Sequence, residues 1–446
     1  MLAVSSRALN LAAALVAACL LASVSQAQAP TPAKPTTSTS KPAPSTSKPK
    51  PKPVANAKKK KTARPAPPAP PPPPPAVELI GLIVMPPDVM RAGPPSGAFD
   101  GEGRRGAAAR FDAQPVQGVS SIKPGGTAGA WWALSDNGFG GKWNSSDYRL
   151  CLYLFDVRPR TEPGGDSRNA LQAVIELSDP AKFFPWRLAE ENSPERLLTG
   201  LDADPESLVT MPDETFWIGD EMGPWLMHFS IDGELLAPPV ELPDNVRSSD
   251  HPLAIAHADI PRLPHSRGLE AMDLAGDNKT LVSILEGTVG GDAPRMLRVL
   301  RYDTSAGKWL NGTLIYERDA DTVSVTDMSL IDGNRFVVME RDDKQGDAAR
   351  AKRVYSIDLD RAQPGKPLQK KLVIDLLSIG NARGLATTTA LDAPFRFPYL
   401  TTESIQVLDR KHVVIVNDNN YPATGGRGVG VKDATEWIWL ELANAL

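Results

Sequence analysis

The sequence predicts an all-β fold, a six-bladed β-propeller that follows a disordered N-terminal segment. First, residues 77–446 consist of short runs of Val, Ile, Leu and aromatic residues, separated by Gly, Pro, Asp and Asn turns. Second, one hairpin pattern recurs along the chain at intervals of about 55 to 85 residues, a spacing typical of repeat folds. Third, few stretches have the periodicity of an amphipathic helix. Together these observations favour blades built from antiparallel strands.

The clearest copy of the hairpin runs from Asp204 to Gly223. Asp204-Pro205-Glu206 begins a first strand, residues 212–214 form a turn, and residues 215–219 form a second strand that ends at Asp220 and Glu221. In an antiparallel hairpin the start of one strand neighbours the end of the next. The hairpin therefore gathers acidic groups at one end.

Four other segments resemble this hairpin, and each is followed by further strands. They begin near residues 118, 268, 326 and 402. A unit of about four strands that repeats in this way is typical of a β-propeller blade. Five units are visible, and pairing residues 78–84 with residues 436–440 would close a sixth blade and remove two exposed edges. Six blades is the expectation, with five or seven as alternatives.

Residues 1–29 are predicted to be a secretory signal peptide, with one charge at Arg7, an Ala/Leu-rich run and small residues at 27–29. A transmembrane anchor and lipidation of Cys19 are the alternatives. The export signal indicates a periplasmic or secreted protein. Its removal leaves Cys151 as the single cysteine, a predicted core residue, and no intrachain disulfide.

Residues 30–76 are almost entirely Pro, Ala, Lys, Ser and Thr, so we expect an extended, disordered linker. Residues 1–76 hold eleven basic residues (nine Lys, Arg7 and Arg64) and no acid. The whole chain has a net charge of −4, so residues 77–446 carry −15. The basic linker could contact anionic envelope polymers, whereas nucleic acid is a poor partner for an exported chain. The acidic part favours cations over direct capture of polyanions.

The repeated hairpins predict an acidic mouth at one end of the central channel. The innermost strand of each blade would line the channel, so acidic residues at its start should form a ring: Glu206, Glu270, Asp327 and Glu403. Acidic residues at the end of the next strand should lie just outside that ring: Asp136, Asp220, Glu221, Glu286, Glu340 and Asp418. A one-residue error in strand register would misplace them.

Such a mouth has the chemistry of a cation site. Ca²⁺ prefers six to eight oxygen ligands, and Glu206, Glu270 and Glu403 are the metal-ligand candidates. Arg267 and Arg341 are the predicted contacts for an anionic oxygen. No catalytic residue is identified and no organic cofactor is expected. The alternative is structural, because Asp and Asn after a strand often accept hydrogen bonds from turn amides.

The segments Asp204-Pro205-Glu206, residues 267–270, residues 132–136, residues 219–223 and residues 416–420 together resemble the phytase-like family, also called "esterase-like activity of phytase". The resemblance covers about residues 118–442 and identifies residues 77–446 as a phytase-like propeller domain. The family often has Glu-Gly where this chain has Glu206-Ser207, Glu270-Ala271 and Glu403-Ser404. The resemblance implies a propeller and, more weakly, hydrolysis.

Two functions therefore remain open. The first is a metal-assisted hydrolase of a small-molecule phosphoester or carboxylic ester. The second is a non-catalytic propeller that binds an envelope ligand or a protein partner. The sequence contains no Gly-x-Ser-x-Gly motif of an ordinary serine hydrolase. Its five histidines have no zinc-ligand spacing, and no phosphate-binding glycine loop is present.

Overall fold

The computed structural model describes residues 76–386 and 393–446. The predicted signal peptide and almost all of the predicted linker lie outside these residues. Among the described residues, no helix is both long and apolar enough to cross a membrane. The one α-helix in this part of the chain is a single turn, α1 (Pro252–Ile255), and four short 3₁₀ turns cover Trp143–Ser145, Pro243–Asn245, Gly346–Ala348 and Leu359–Arg361.

The described residues form 23 strands, most of them in five antiparallel sheets of at least four strands each. Before the first blade come β1 (Val77–Met85), β2 (Met90–Arg91) and β3 (Gln114–Pro115). Blade I contains β4 (Val119–Pro124), β5 (Ala130–Ser135), β6 (Cys151–Arg158) and β7 (Arg168–Glu176). Blade II contains β8 (Pro205–Thr210), β9 (Phe216–Asp220), β10 (Trp225–Phe229) and β11 (Val240–Glu241).

The remaining blades follow in chain order. Blade III contains β12 (Ala271–Leu274), β13 (Thr280–Ile284), β14 (Met296–Asp303), β15 (Lys308–Trp309) and β16 (Leu314–Glu317), and both β15 and β16 pair with β14. Blade IV contains β17 (Ser324–Asp332), β18 (Arg335–Arg341), β19 (Lys352–Asp358) and β20 (Lys370–Asp375). Blade V contains β21 (Thr402–Val407), β22 (His412–Asn417), β23 (Thr435–Leu442) and, from the other end of the chain, β1.

The five blades form a closed ring around their first strands. These inner strands neighbour one another in the order β4, β8, β12, β17 and β21, and β21 returns to β4. Five buried apolar clusters lie between successive blades, one at each of the five interfaces. Leu208 and Leu134, for example, join blades I and II, and Trp437 and Val119 join blades V and I. The burial of these apolar side chains between sheets is what stabilises the ring.

The expectation of six blades is wrong, because the structure has five. The predicted pairing of the chain ends does occur: Val84 lies opposite Glu436 and Leu79 opposite Leu440. It does not build an additional blade, however. The hairpin of β21 and β22 is followed by only one more strand, β23, so β1 completes blade V as its outermost strand. Cys151 is buried in the core, as predicted.

Candidate functional site

A cavity of about 210 Å³ lies at the end of the channel where the inner strands begin. We call it the acidic mouth, because eight of its lining residues are carboxylic acids and two are arginines: Asp136, Asp204, Glu206, Glu221, Glu270, Glu286, Glu403, Asp418, Arg267 and Arg341. Predicted residues from all five blades therefore converge, including Glu206, Glu270 and Glu403. The structure thus brings together most of the candidate set.

Strand register explains how five hairpins supply this lining. In four inner strands a one-residue bulge interrupts the pairing with the second strand, and the bulged residues are Ser120, Glu206, Thr326 and Glu403. Glu270 immediately precedes β12 and takes the equivalent place in blade III. A bulge re-aims the side chain of its extra residue. Four of these residues line the mouth, and three of the four are glutamates: Ser120, Glu206, Glu270 and Glu403.

A second set of five equivalent residues lies at or just after the ends of the second strands. They are Asp136, Glu221, Glu286, Arg341 and Asp418, and all five line the mouth. In blades I, II and V the backbone N–H of this residue donates to the carbonyl of the residue before the inner strand; the Glu221–Asp204 bond, for example, is 3.0 Å long. In blade III the Glu286 N–H donates to the Gly268 carbonyl, three residues before β12 begins. The mouth is therefore bounded by two stacked sets of side chains, one from each strand of the hairpin.

Three predicted mouth residues lie elsewhere, each one position out of register. Asp327 follows the bulged Thr326, so its carboxylate points into the blade IV–blade V interface, where it accepts from the Ile405 N–H (2.9 Å) and from the Ser404 hydroxyl (3.2 Å). Asp220 and Glu340 precede Glu221 and Arg341. The bulge in β17 accounts for Asp327, because the alternation of residues along a strand does not reveal an extra residue. Asp220 and Glu340 pair with Pro205 and Val325, the residues just before the bulges, and so lie one residue before the positions that line the mouth.

Asp220 and Glu340 are fully buried, and each is held by its own hydrogen bonds. The Asp220 carboxylate accepts from the backbone N–H groups of Asp204 (2.8 Å) and Gly223 (2.6 Å), which fixes the end of β9. Glu340 accepts from the Tyr316 hydroxyl at 2.6 Å and also contacts Lys370. Both residues therefore have the structural role that was the alternative for acidic groups at strand ends.

The carboxylates of the mouth form two triads that share one residue. Oxygen atoms of Asp204, Glu206 and Glu221 lie within 4.8 Å of one another, and so do oxygen atoms of Glu221, Glu270 and Glu286. Asp204 was not among the predicted site residues, although it begins the clearest hairpin. Its carboxylate also accepts from the Asn137 side chain at 2.7 Å. Glu221 is thus the central acid of the mouth.

Burial and mutual repulsion raise the pKa of these acids. Burial, followed by the charges of neighbouring carboxylates, raises the pKa of Glu206, Glu221, Glu270 and Asp136 well above the usual range. Burial raises the pKa of Asp418 to about 7. Both effects favour the protonated form of these carboxyl groups unless a cation neutralises them.

Two arginines partly neutralise the carboxylates of the mouth. A nitrogen of the Arg341 guanidinium lies 3.3 Å from Glu403 Oε1, and Arg267 pairs with Glu286. Among the described residues, Glu403 Oε2 and Arg341 Nε are buried and have no hydrogen-bond partner. Buried polar atoms are normally paired, so these two atoms indicate a missing partner such as a ligand or water.

The channel is closed beneath the mouth by an ion pair. Lys123 of β4 lies 3.0 Å from Asp273 of β12, and both side chains are buried. Each is three residues along its strand from the mouth residues Ser120 and Glu270, a depth of about 10 Å. Because blades I and III are not neighbours, this pair crosses the channel. The mouth is therefore a one-sided pocket.

Comparison with known families decides which propeller this is. The family model for "Phytase-like: Esterase-like activity of phytase" matches residues 114–421, which include the inner hairpins of all five blades. The chain belongs to the phytase-like family. The resemblance seen in the sequence is thus confirmed, and the match begins at β3 and ends just after Asp418.

A curated relative is 22% identical over 256 residues, an "uncharacterized secreted protein" of Arthroderma benhamiae; the match covers 46% of this chain and 48% of the relative. The chain therefore spans about half the length of that relative. Solved structures that it resembles include a luciferin-regenerating enzyme (12% identity, 83% of this chain and 97% of that one, TM-score 0.38). Another is the calcium-binding protein regucalcin of Agrobacterium tumefaciens (10% identity, 82% and 97%, TM-score 0.35).

Proposed function

We propose that this phytase-like protein is an exported, metal-assisted hydrolase that acts on phosphoesters or carboxylic esters at the acidic mouth. One observation carries the proposal: Glu221 belongs to two triads of carboxylates, and these triads face a pocket that also holds Arg341. Carboxylates in this number are unfavourable together unless a cation or protons neutralise them. A site for hard divalent cations is the simplest function for such a cluster.

The residues present fit a Ca²⁺-like ion. Calcium takes six to eight oxygen ligands in a flexible geometry, and the mouth offers carboxylate oxygens from Asp204, Glu206, Glu221, Glu270 and Glu286 within two overlapping groups. Glu403 contributes a buried oxygen that has no hydrogen-bond partner among the described residues. Glu206, Glu270 and Glu403, the candidates proposed from sequence, therefore remain ligand candidates, and Glu221 and Asp204 join them.

The arginines would orient the substrate. Arg341 already contacts Glu403 through one nitrogen, while its Nε is buried and has no partner among residues 76–386 and 393–446, so it retains a donor for an anionic oxygen. Arg267, which pairs with Glu286 in the same lining, provides a second positive charge. A bound divalent cation would supply Lewis-acid polarisation of the ester. The protein would hold the substrate between these groups.

Export is proposed on two grounds. Residues 1–29 have the pattern of a signal peptide, and the curated relative is named as secreted. The destination would be the periplasm or the exterior. There, the nine lysines of residues 30–76 could hold the propeller near anionic envelope polymers.

The test is an assay of the full chain, purified after expression with its own export signal. Hydrolysis of 4-nitrophenyl phosphate and 4-nitrophenyl acetate would be followed with Ca²⁺ and with chelator, in the wild type and in Glu206→Gln and Glu270→Gln. We expect Ca²⁺-dependent turnover of at least one ester, reduced at least tenfold in both variants. A melting temperature that rises with Ca²⁺ without any turnover would instead identify a binding protein. If neither Ca²⁺ nor the substitutions had an effect, the mouth would not be a cation site.

A further inference from the structure

A second constellation of reactive groups lies at the rim of the acidic mouth. Ser266 lines the mouth, and its hydroxyl oxygen lies 3.2 Å from Nε2 of His265. The other ring nitrogen of His265, Nδ1, lies 2.5 Å from a carboxylate oxygen of Asp250. A hydroxyl, an imidazole and a carboxylate are thus connected in the order required for nucleophilic catalysis.

We propose that Ser266, His265 and Asp250 form a Ser–His–Asp triad that hydrolyses short-chain carboxylic esters without a metal ion. This activity goes beyond the metal-assisted function proposed above, because it uses none of the mouth carboxylates. It also differs from the usual sequence pattern: the nucleophile and the base are consecutive residues in a loop, with no Gly-x-Ser-x-Gly motif around them.

The backbone at Ser266 supports a specialised role. Its φ is 47°, in the left-handed region that a non-glycine residue seldom adopts. Residues held in such conformations cost free energy and are concentrated at functional sites, where the strain aims a reactive side chain. Here the conformation turns the Ser266 hydroxyl back toward the ring of the residue that precedes it.

Each member of the triad is held by the propeller. Two residues after Ser266, the Gly268 N–H donates to Glu221 Oε1 at 3.0 Å, which anchors the loop to the mouth. Two residues before Asp250, the buried Ser248 N–H donates to the Gly223 carbonyl at 3.1 Å, and the Ser248 hydroxyl accepts from the Asp250 N–H at 3.0 Å. All three members lie in the connection between β11 and β12, and these hydrogen bonds anchor that connection to blade II.

The chemistry assigns each residue a step. Asp250 would accept the Nδ1–H of His265 and so leave Nε2 free to accept the Ser266 proton, and the hydrogen bond to Asp250 raises the pKa of His265, as expected for a base. Ser266 Oγ would attack the ester carbonyl carbon while its proton passes to Nε2. The C–O bond to the alcohol then breaks, the alcohol takes that proton, and an acyl-Ser266 remains. Water would release the acid by the same steps in reverse, restoring the serine.

The substrate class follows from the surroundings. Ser266 is half-buried and His265 is exposed, so the triad is open to a ligand that enters from solvent. The adjoining mouth has a volume of about 210 Å³, below the range of about 300–1,000 Å³ for drug-sized ligands. Its lining consists almost entirely of polar side chains. A short acyl group, such as acetyl, fits this space, whereas a long hydrocarbon chain finds no apolar surface there.

The experiment is hydrolysis of 4-nitrophenyl acetate by the full chain in excess EDTA. We expect EDTA-resistant turnover that falls about 100-fold or more in Ser266→Ala and in His265→Gln, and less in Asp250→Asn. Ser249→Ala and His257→Gln are the matched controls; both side chains are exposed in the same region and lie outside the triad, so they should keep wild-type rates. Melting temperatures would be compared for all five variants.

A covalent probe provides the second readout. A fluorophosphonate should label Ser266, identified by mass spectrometry, and labelling should disappear in His265→Gln even though that variant remains folded. Full activity of Ser266→Ala, or labelling elsewhere, would overturn the triad. Ester hydrolysis that EDTA abolishes would also overturn it and would leave the metal-assisted function standing. EDTA-resistant, Ser266-dependent hydrolysis with no response to Ca²⁺ would support the triad and overturn the metal-assisted function.

Discussion

Arg341 occupies in blade IV the position that Glu221 occupies in blade II. Glu221 follows Asp220, which pairs with Pro205 just before the bulge of blade II. Arg341 likewise follows Glu340, which pairs with Val325 just before the bulge of blade IV. Both Glu221 and Arg341 line the mouth. The other three blades place Asp136, Glu286 and Asp418 there. The fivefold arrangement is therefore broken by a single positive charge, which gives the mouth an acidic side around Glu221 and a mixed side around Arg341 and Glu403.

The shared position of Glu221 leads to the first prediction. Glu221→Gln should raise the Kd for Ca²⁺ at least tenfold, because it removes a ligand from both triads, whereas Glu206→Gln and Glu286→Gln each affect one triad. A tenfold rise in Kd removes about 1.4 kcal/mol of Ca²⁺-linked stabilisation at saturating ion. The measurement is the melting temperature across a Ca²⁺ titration. Glu234→Gln, at an exposed turn, is the control, and equal effects of all four substitutions would contradict the shared-ligand role.

The second prediction concerns pH. Burial raises the pKa of Asp327 from its usual 3.8 to about 8, so the folded protein binds a proton there that the unfolded chain releases. The associated stability is fully present below about pH 4 and is lost as the pH rises toward 8, with a slope of at most about 1.4 kcal/mol per pH unit. Asp327→Asn should make the fall in unfolding free energy between pH 5 and pH 8 shallower.

Chemical denaturation at several pH values in the presence of EDTA would measure this slope. Asp303→Asn is a suitable comparison, since Asp303 lies at the outer end of β14 and caps an exposed turn. An identical pH dependence in the wild type and in Asp327→Asn would show that Asp327 is ionised in the folded protein.

The third prediction concerns the ion pair that closes the channel. Lys123→Met and Asp273→Asn should each destabilise the protein by about 3–5 kcal/mol, because removing one partner leaves the other charge buried without its counter-charge. The Lys123→Met/Asp273→Asn double variant should lose less than the sum of the single losses. Urea denaturation would provide the double-mutant cycle, and strictly additive losses would mean that the two residues do not interact.

The fourth prediction tests ring closure by β1. Ile83 is buried between blades V and I, whereas the next residue, Val84, is 46% exposed on the opposite face of the same strand. Ile83→Asp should cost several kcal/mol or prevent folding, since it buries a charge without a partner. Val84→Asp is the matched control and should change the unfolding free energy by less than about 1 kcal/mol. Equal losses would show that β1 is not docked in this register.

The propeller could be predicted because its signal is local and repeated. Each inner hairpin contains apolar strands around a turn, and the convergence of Glu206, Glu270 and Glu403 follows from that repetition. The number of blades could not be predicted in the same way. Residues 78–84 were correctly paired with residues 436–440, but nothing in either segment indicates that both belong to the blade of β21 and β22.

The misplacement of Asp327 has a physical cause. The bulge adds a residue to the inner strand, so the residue equivalent to Glu206 is Thr326 and not Asp327. The Ser266 constellation escaped prediction for a different reason. Asp250 and His265 are fifteen residues apart in a loop without strand or helix periodicity, and only the folded backbone brings them together.

The Lys123–Asp273 pair closes the inner end of the mouth, and this closure has a kinetic consequence. A molecule that reaches the carboxylates can leave only by the route through which it entered, so substrate and product use the same opening of the pocket. For any turnover at the mouth, product should then act as a competitive inhibitor and its escape should contribute to the overall rate. The ring of five blades would therefore behave as a pocket with a single opening.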